Sequence, residues 1–152
     1  MIAIFDLDGT LALNEHRHHF LQEKPKNWKA FHSASDNDEI NYPLSLLWDR
    51  FEEDFRFIFT GRSDEYKMQT ENWLIRNGLE WYEDIYMRKK GDKRDDTIVK
   101  KEMFHQLQQS FCKKYNSNFS EHIVIIFEDR QRVVDMWREM GLTCCQVAPG
   151  DF

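Results

Sequence analysis

The residues of this chain that could do chemistry fall in four short clusters. The apolar run Ile2-Ala3-Ile4-Phe5 leads into Asp6-Leu7-Asp8-Gly9-Thr10. A second run, Phe55 to Phe59, leads into Thr60-Gly61-Arg62, and a third, His122 to Phe127, leads into Glu128-Asp129. Lys100 stands between these last two, one helical turn after Asp96. Carboxylates in such a set can attack, exchange protons or ligate a hard cation. The hydroxyl, ammonium and guanidinium groups beside them can hold the oxygens of an anion.

Taken singly, each cluster has an ordinary structural explanation. An acidic pair after a strand often makes a turn or caps the next helix. Thr-Gly-Arg is a common loop tripeptide, and a helical lysine usually lies in solvent. The specific feature is Asp-x-Asp-Gly-Thr directly after an N-terminal apolar strand, with the other groups following in order.

The elements that must position these groups alternate. Besides the three runs above, Thr143 to Val147 reads as a fourth strand and Ile85-Tyr86-Met87 as a weaker fifth. Unbroken apolar runs of this length suit strands covered on both faces, as in a parallel sheet. Helical patterns lie between them: Pro43 to Phe51, Asp64 to Asn77, Thr97 to about Tyr115 with Asp96 as its cap, and Arg130 to Met140. This alternation predicts an α/β doubly wound sheet, mainly parallel, with helices on both faces. Ligands of such sheets bind beyond the carboxyl ends of the strands, so the four clusters should converge in one crevice.

Residues 1–152 suit one domain, long enough to bury a core without a disulfide or metal staple. Residues from about 13 to 42 do not fit the strand–helix repeat and are expected to form a small helical insertion, a cap or flap over the site. The formal net charge is −6, which argues against a protein gripping a long stretch of duplex. A small anionic substrate, or only the end of a nucleic acid, is compatible with it. The three cysteines, Cys112, Cys144 and Cys145, are odd in number and lack Cys-x-x-Cys spacing, so neither a disulfide framework nor zinc is expected. A reducing, cytoplasmic location is the expectation, with no signal peptide ahead of the motif at residue 5 and no membrane span.

The four clusters resemble the motifs of the haloacid dehalogenase-type phosphatases, with Asp6-Leu7-Asp8-Gly9-Thr10 as the first, Thr60 the second, Lys100 the third and Glu128-Asp129 the fourth. Three further stretches resemble one branch, the 3′-phosphatase domain of bacteriophage polynucleotide kinase/phosphatase. They are Gly91 to Glu102, Glu128 to Arg138, and the ending Gln146-Val147-Ala148-Pro149-Gly150-Asp151-Phe152. The chain departs from that enzyme in three ways. It has no Gly-x-x-x-x-Gly-Lys-Ser/Thr, so nothing matches the kinase half. Thr60 stands where a serine is usual, and Glu128 precedes Asp129 where two aspartates are usual.

The resemblance implies a mechanism. Asp6 is the nucleophile, forming an aspartyl-phosphate, and Asp8 the general acid and then base. Mg²⁺ is the cofactor, held by Asp6, Asp129 and the backbone carbonyl of Asp8, with Glu128 acting through water. Thr60 and Lys100 hold the phosphoryl oxygens, Asp96 orients Lys100, and Arg62 contacts the phosphate or the leaving nucleotide. Arg17, in the cluster His16-Arg17-His18-His19, is expected to contact phosphate or base, not zinc.

Substrate choice is left open between two classes. The basic segment Arg88, Lys89, Lys90, Lys93 and Arg94 reads either as a solvated loop or as a short track for backbone phosphates. The first class is therefore a polynucleotide 3′ end, DNA or RNA, with a separate kinase or ligase in the same pathway as partner. The second is free nucleotides or small phosphorylated metabolites. A catalytically dead binding module is a third reading, opposed by the presence of every motif residue. Trp28, Phe31 and Tyr42 could stack on a base, but at this spacing they are expected to be core.

Overall fold

Strand β1 (Ile2–Phe5) is buried at every position, as a run of apolar side chains on alternate faces requires when both faces are covered. Ile2 and Ile4 pack into one core with Val99, Met103, Phe104, Leu107 and Phe111, while Ala3 and Phe5 pack into another with Trp48, Trp73 and Leu74. The computed structural model describes residues 1–150. Asp151 and Phe152, the last two residues of the C-terminal stretch quoted above, lie outside the described residues.

After β1 the chain forms β2 (Ala12–Leu13), the short helices α1 (His19–Gln22) and α2 (Trp28–Ser33), and β3 (Glu39–Ile40). It continues through α3 (Tyr42–Asp49), β4 (Phe55–Ser63), α4 (Lys67–Arg76) and β5 (Asp84–Arg88). The last elements are α5 (Asp96–Tyr115), β6 (Val124–Glu128), α6 (Gln131–Glu139) and β7 (Thr143–Gln146). Five strands make a parallel sheet in the order β5-β4-β1-β6-β7, with β1 at its centre. Helices α5 and α6 cover one face, and α3 and α4 the other. The predicted doubly wound α/β fold is therefore the observed one.

Strand order sets where a site can lie. From β1 the chain moves to β4 and β5 on one side, then returns to β6 and β7 on the other. The loops after β1 and β6 thus diverge and leave a crevice between them, the place where open α/β sheets bind ligands.

Several local details differ from the sequence expectation. Asp95, not Asp96, caps α5: its carboxylate accepts from Thr97 N at 2.9 Å. The segment expected to be a helical insertion also contains a two-stranded antiparallel ribbon, Ala12 opposite Ile40 and Leu13 opposite Glu39. Of the three aromatics expected in the core, only Phe31 is there; Trp28 and Tyr42 are exposed. Cys144 is buried, Cys145 half-buried and Cys112 exposed, all as free thiols. Among the described residues no helix is long and apolar enough to cross a membrane.

Candidate active site

The turn after β1 delivers two aspartates with different surroundings. Asp6 N donates to Phe127 O at 2.9 Å, which ties the end of β1 to β6. Gly9 N then donates to Ala12 O at 2.8 Å, and Ala12 N to Leu7 O at 2.8 Å, so the chain turns back within a few residues. Gly9 makes this turn with φ +86°, and a Cβ there would run into the Asp129 carboxylate. A Cβ at Gly150 would collide with the same side chain. Asp129 is thus seated between backbone from the first turn and backbone from the C-terminal segment.

Asp6 meets Glu128 and Asp129 across the crevice. Lys100, from the second turn of α5, donates to Asp6 Oδ1 at 2.6 Å and to Glu128 Oε2 at 2.6 Å, and all three side chains are buried. Burial alone would strip the proton from Lys100, but Asp6 and Glu128 outweigh it and keep the ammonium charged. One carboxylate oxygen from each of Asp6, Glu128 and Asp129 lies within 4.8 Å of the others. Burial, then the Glu128 carboxylate, raise the Asp6 carboxyl well above its usual range, although Lys100 opposes the shift. The same two causes push Asp129 up to about 7.

Three buried carboxylates facing one ammonium are short of positive charge, and their oxygens are hard donors, so the cluster fits a small divalent cation. A pH dependence follows with a definite sign. A carboxyl whose folded pKa is raised stabilises the fold fully below its unfolded value and loses that contribution as pH rises through the folded value. The metal-free protein should therefore lose melting temperature between about pH 4 and pH 7, the window set by Asp129. Millimolar Mg²⁺ should return stability, little at pH 5 and much more at pH 8, because binding requires the ionised carboxylates. Melting curves with Mg²⁺ or EDTA check this; an equal Mg²⁺ effect at both pH values would contradict it.

Asp8 turns the other way, into a pair of buried guanidiniums. Arg62 donates to it through Nε at 2.9 Å and Nη2 at 2.7 Å, and Arg17 through Nη2. Asp38 closes the group: it accepts from Arg17 Nε at 2.7 Å, Arg17 Nη2 at 2.6 Å and Arg62 Nη2 at 3.0 Å. Burial would raise the Asp8 carboxyl, but Arg62 and Arg17 outweigh it and hold it far below the usual carboxylate range. Asp38 was not among the residues singled out from sequence, since a lone aspartate before a short strand carries no local signal. Arg17 is itself held by Phe31: it donates to Phe31 O at 3.2 Å, and its guanidinium lies 4.1 Å from the Phe31 ring centre.

Asp96 forms the third charged knot. It pairs with Arg88 from the end of β5 and with Arg130 after β6. Arg88 also donates to Gly61 O at 3.0 Å and Arg94 O at 2.7 Å, which makes it a brace between loops as well as part of the basic segment. Arg94 borders the cleft but is paired on its exposed side with Asp92 at 2.7 Å and Glu102 at 2.6 Å. Lys89 and Lys90 pair with Asp64 at 3.3 Å and Glu65 at 2.9 Å.

A cleft of about 960 Å³ opens over these groups, bordered by Asp6, Asp8, Gly61, Lys100, Glu128 and Asp129 at one end. Asp96, Arg88 and Arg94 border it too, as do Trp28, His32 and Tyr66. Thr60, Arg62 and Arg17 are not on its wall. Thr60 is fully buried at the β4 bend, where its Oγ1 accepts from Arg62 N at 3.1 Å. The structure thus gathers Asp6, Lys100, Glu128 and Asp129 into one cluster, and Asp8, Arg17 and Arg62 into an adjoining one.

Comparison with known proteins agrees with this geometry. The family described as polynucleotide kinase PNKP phosphatase domain matches residues 1–152. A chain of a Pnkp1/Rnl/Hen1 complex is similar at 31% identity and a TM-score of 0.77, over 99% of this chain and 47% of that one. A second structure, of the Pnkp1/Rnl/Hen1 RNA repair complex, is similar at 32% identity and a TM-score of 0.78, over 99% and 43%. The present chain therefore spans less than half the length of these relatives. A HAD family enzyme from Bacteroides thetaiotaomicron, solved as a magnesium complex, shares the fold at a TM-score of 0.56 and 14% identity, over 98% and 93%. Motif order, sheet order and the full-length family match agree, and this chain belongs to the polynucleotide kinase phosphatase-domain family of haloacid dehalogenase-type phosphatases.

Proposed function

We propose that the chain is a Mg²⁺-dependent phosphomonoesterase that removes 3′-phosphate from polynucleotide ends through an aspartyl-phosphate on Asp6. The observation that carries the reading is the buried cluster of Asp6, Lys100, Glu128 and Asp129 at the head of a cleft far larger than a phosphate group. The relatives in RNA repair complexes support the choice of a polynucleotide end.

In this reading Lys100 fixes one Asp6 oxygen and leaves the other to attack phosphorus. The Asp6–phosphorus bond forms as the bond from phosphorus to the 3′ oxygen breaks, and Asp8 gives that oxygen its proton. Water then adds to phosphorus, Asp8 takes its proton, and phosphate leaves as Asp6 is regenerated. Asp6 and Asp129, with the Asp8 carbonyl and Glu128, are the residues that would hold Mg²⁺. When bound, the ion supplies positive charge that keeps the crowded carboxylates ionised and offsets their repulsion of the phosphate. Lys100, on the cleft wall, serves the phosphoryl oxygens, while Thr60, buried at the β4 bend, holds the Arg62 backbone.

Asp8 rests as an anion between Arg17 and Arg62. A phosphate is the natural competitor for those guanidiniums. Shifting either of them toward the substrate would raise the Asp8 carboxyl, so that it takes from solvent the proton that the first step passes to the 3′ oxygen and recovers it from the attacking water in the second. Asp96 holds Arg88 and Arg130 at the rim and so shapes the entrance to the Lys100 end of the cleft.

Phosphate release from a matched panel tests the proposal: a 3′-phosphorylated oligonucleotide, the corresponding 3′-mononucleotide, and a phosphorylated sugar, each with Mg²⁺ and with EDTA. The oligonucleotide should have the highest kcat/KM, and EDTA should abolish release from all three. Preference for the mononucleotide or the sugar phosphate would pass the substrate to the free-nucleotide or metabolite class. Undiminished release in EDTA would remove Mg²⁺ from the account. A kinase or ligase acting on the same ends is the partner this reading implies.

A further inference from the structure

Three aromatic side chains, Trp28, His32 and Tyr66, border the cleft. Helix α2 buries Phe31, and Trp28 and His32, one turn apart on the same helix, flank it with ring centres 5.8 Å and 5.5 Å from its own. Trp28 keeps 44% of its surface exposed although indole is among the costliest side chains to leave in water. Its ring lies nearly parallel to His32, with centres 6.0 Å apart and planes at 23°. Tyr66, from the turn before α4, continues the row at 5.3 Å from His32. All three border the cleft that contains Asp6 and Lys100.

His32 carries no charge that would spoil a stacking surface. Burial and the nearby Arg62, Arg17 and Arg88 lower its imidazole to about 4, outweighing the pull of Asp8. Its Nδ1 is buried without a hydrogen-bond partner among the described residues. Lysines border the same cleft: Lys26, with Nζ 5.5 Å from the Trp28 ring centre, Lys29, Lys89 and Lys93. Neutral π faces in a cleft that lysines also border match a nucleobase followed by further backbone phosphates. A small sugar phosphate has no base to lay on this row.

We propose that Trp28, His32 and Tyr66 form a stacking subsite for the base of the terminal nucleoside, so that the cleft selects nucleic-acid ends by the presence of a base and not by its identity. The inference rests on the polynucleotide reading above. It assigns the α2 segment a recognition role, and it makes Trp28 the residue with most to lose on truncation.

The test compares a 3′-phosphorylated trinucleotide with the same molecule lacking the terminal base, using wild-type protein, Trp28→Ala and Trp28→Phe. Wild type should prefer the base-bearing end by about 5- to 150-fold in kcat/KM, mostly through KM. Trp28→Ala should collapse that preference, and Trp28→Phe should keep most of it. Equilibrium binding of the same two oligonucleotides to Asp6→Asn protein, with and without Trp28→Ala, separates the two ideas. Base-dependent, Trp28-dependent binding to Asp6→Asn protein, with no hydrolysis by wild type, would support the subsite and sink the proposed reaction. Hydrolysis with equal rates and equal binding for both oligonucleotides would overturn the subsite and leave the reaction standing. Trp28→Ala losses that are the same for both oligonucleotides would also overturn it.

Discussion

Asp6→Asn should reduce phosphate release by at least about 10⁴-fold while leaving the melting temperature unchanged or raised. The asparagine keeps the shape of the aspartate but lacks the anionic oxygen that would attack phosphorus. The fold has no reason to suffer. Lys100 retains Glu128 at 2.6 Å, so its buried ammonium is still paired. Asp6 is crowded by Glu128 and Asp129, and its raised pKa means that its charged form is disfavoured in the metal-free state. Removing one of three repelling carboxylates relieves that crowding. Loss of turnover without loss of stability is what separates a nucleophile from a scaffold residue. Steady-state kinetics and melting curves on the same preparation read both quantities, and residual activity within about tenfold of wild type would deny Asp6 the role.

Asp38→Ala should be the most damaging substitution outside that cluster, and its damage should be to stability as well as rate. Asp38 is 6% exposed and is the carboxylate shared by Arg17 and Arg62. Without it, Asp8 alone faces two buried guanidiniums. Breaking a buried ion pair by removing one partner costs about 3–5 kcal/mol, because the remaining charge stays out of water uncompensated. In a chain of this size that corresponds to a melting temperature lower by on the order of 10 °C or more. Turnover should fall too, since the arginines that orient Asp8 lose their anchor. Arg94→Ala is the natural comparison: its pairs with Asp92 and Glu102 are at the surface, where solvent screens an ion pair and leaves it contributing little. Equal effects of the two substitutions would show that the Asp38 group is not a buried anchor.

Much of the fold was legible in the sequence because doubly covered parallel strands have an unmistakable form. Ile2-Ala3-Ile4-Phe5 and Val124 to Phe127 are apolar on both faces, which only a sheet between two helical layers satisfies. Asp6, Thr60 and Glu128 then fall at or just beyond the carboxyl ends of such runs, and the geometry of open α/β sheets brings them together. What escaped the sequence is the pairing of charges over long separations. Nothing local says that Arg17 will be buried against Asp8 and Asp38, or that Arg88 will leave the basic track to brace Asp96. The cap of α5 was misjudged by one residue because Asp95 and Asp96 are chemically identical in sequence; Asp95 takes the cap and Asp96 is turned toward Arg88 and Arg130. Trp28 was expected inside because its spacing from Phe31 suits one helix face. One turn of helix was too short to reveal that Phe31 alone fills the core.

The most direct test of the central claim is transfer of label to the protein. A 3′-[³²P]-phosphorylated oligonucleotide is mixed with wild-type protein and Mg²⁺, quenched in acid within a single turnover, and the protein examined for bound label. The expected result is an acid-stable, hydroxylamine-sensitive adduct on Asp6, absent in Asp6→Asn and absent when the label is carried on the 5′ end instead. Release of phosphate from the 3′ end with no labelled protein at any quench time, or equal labelling from the 5′ end, would contradict it.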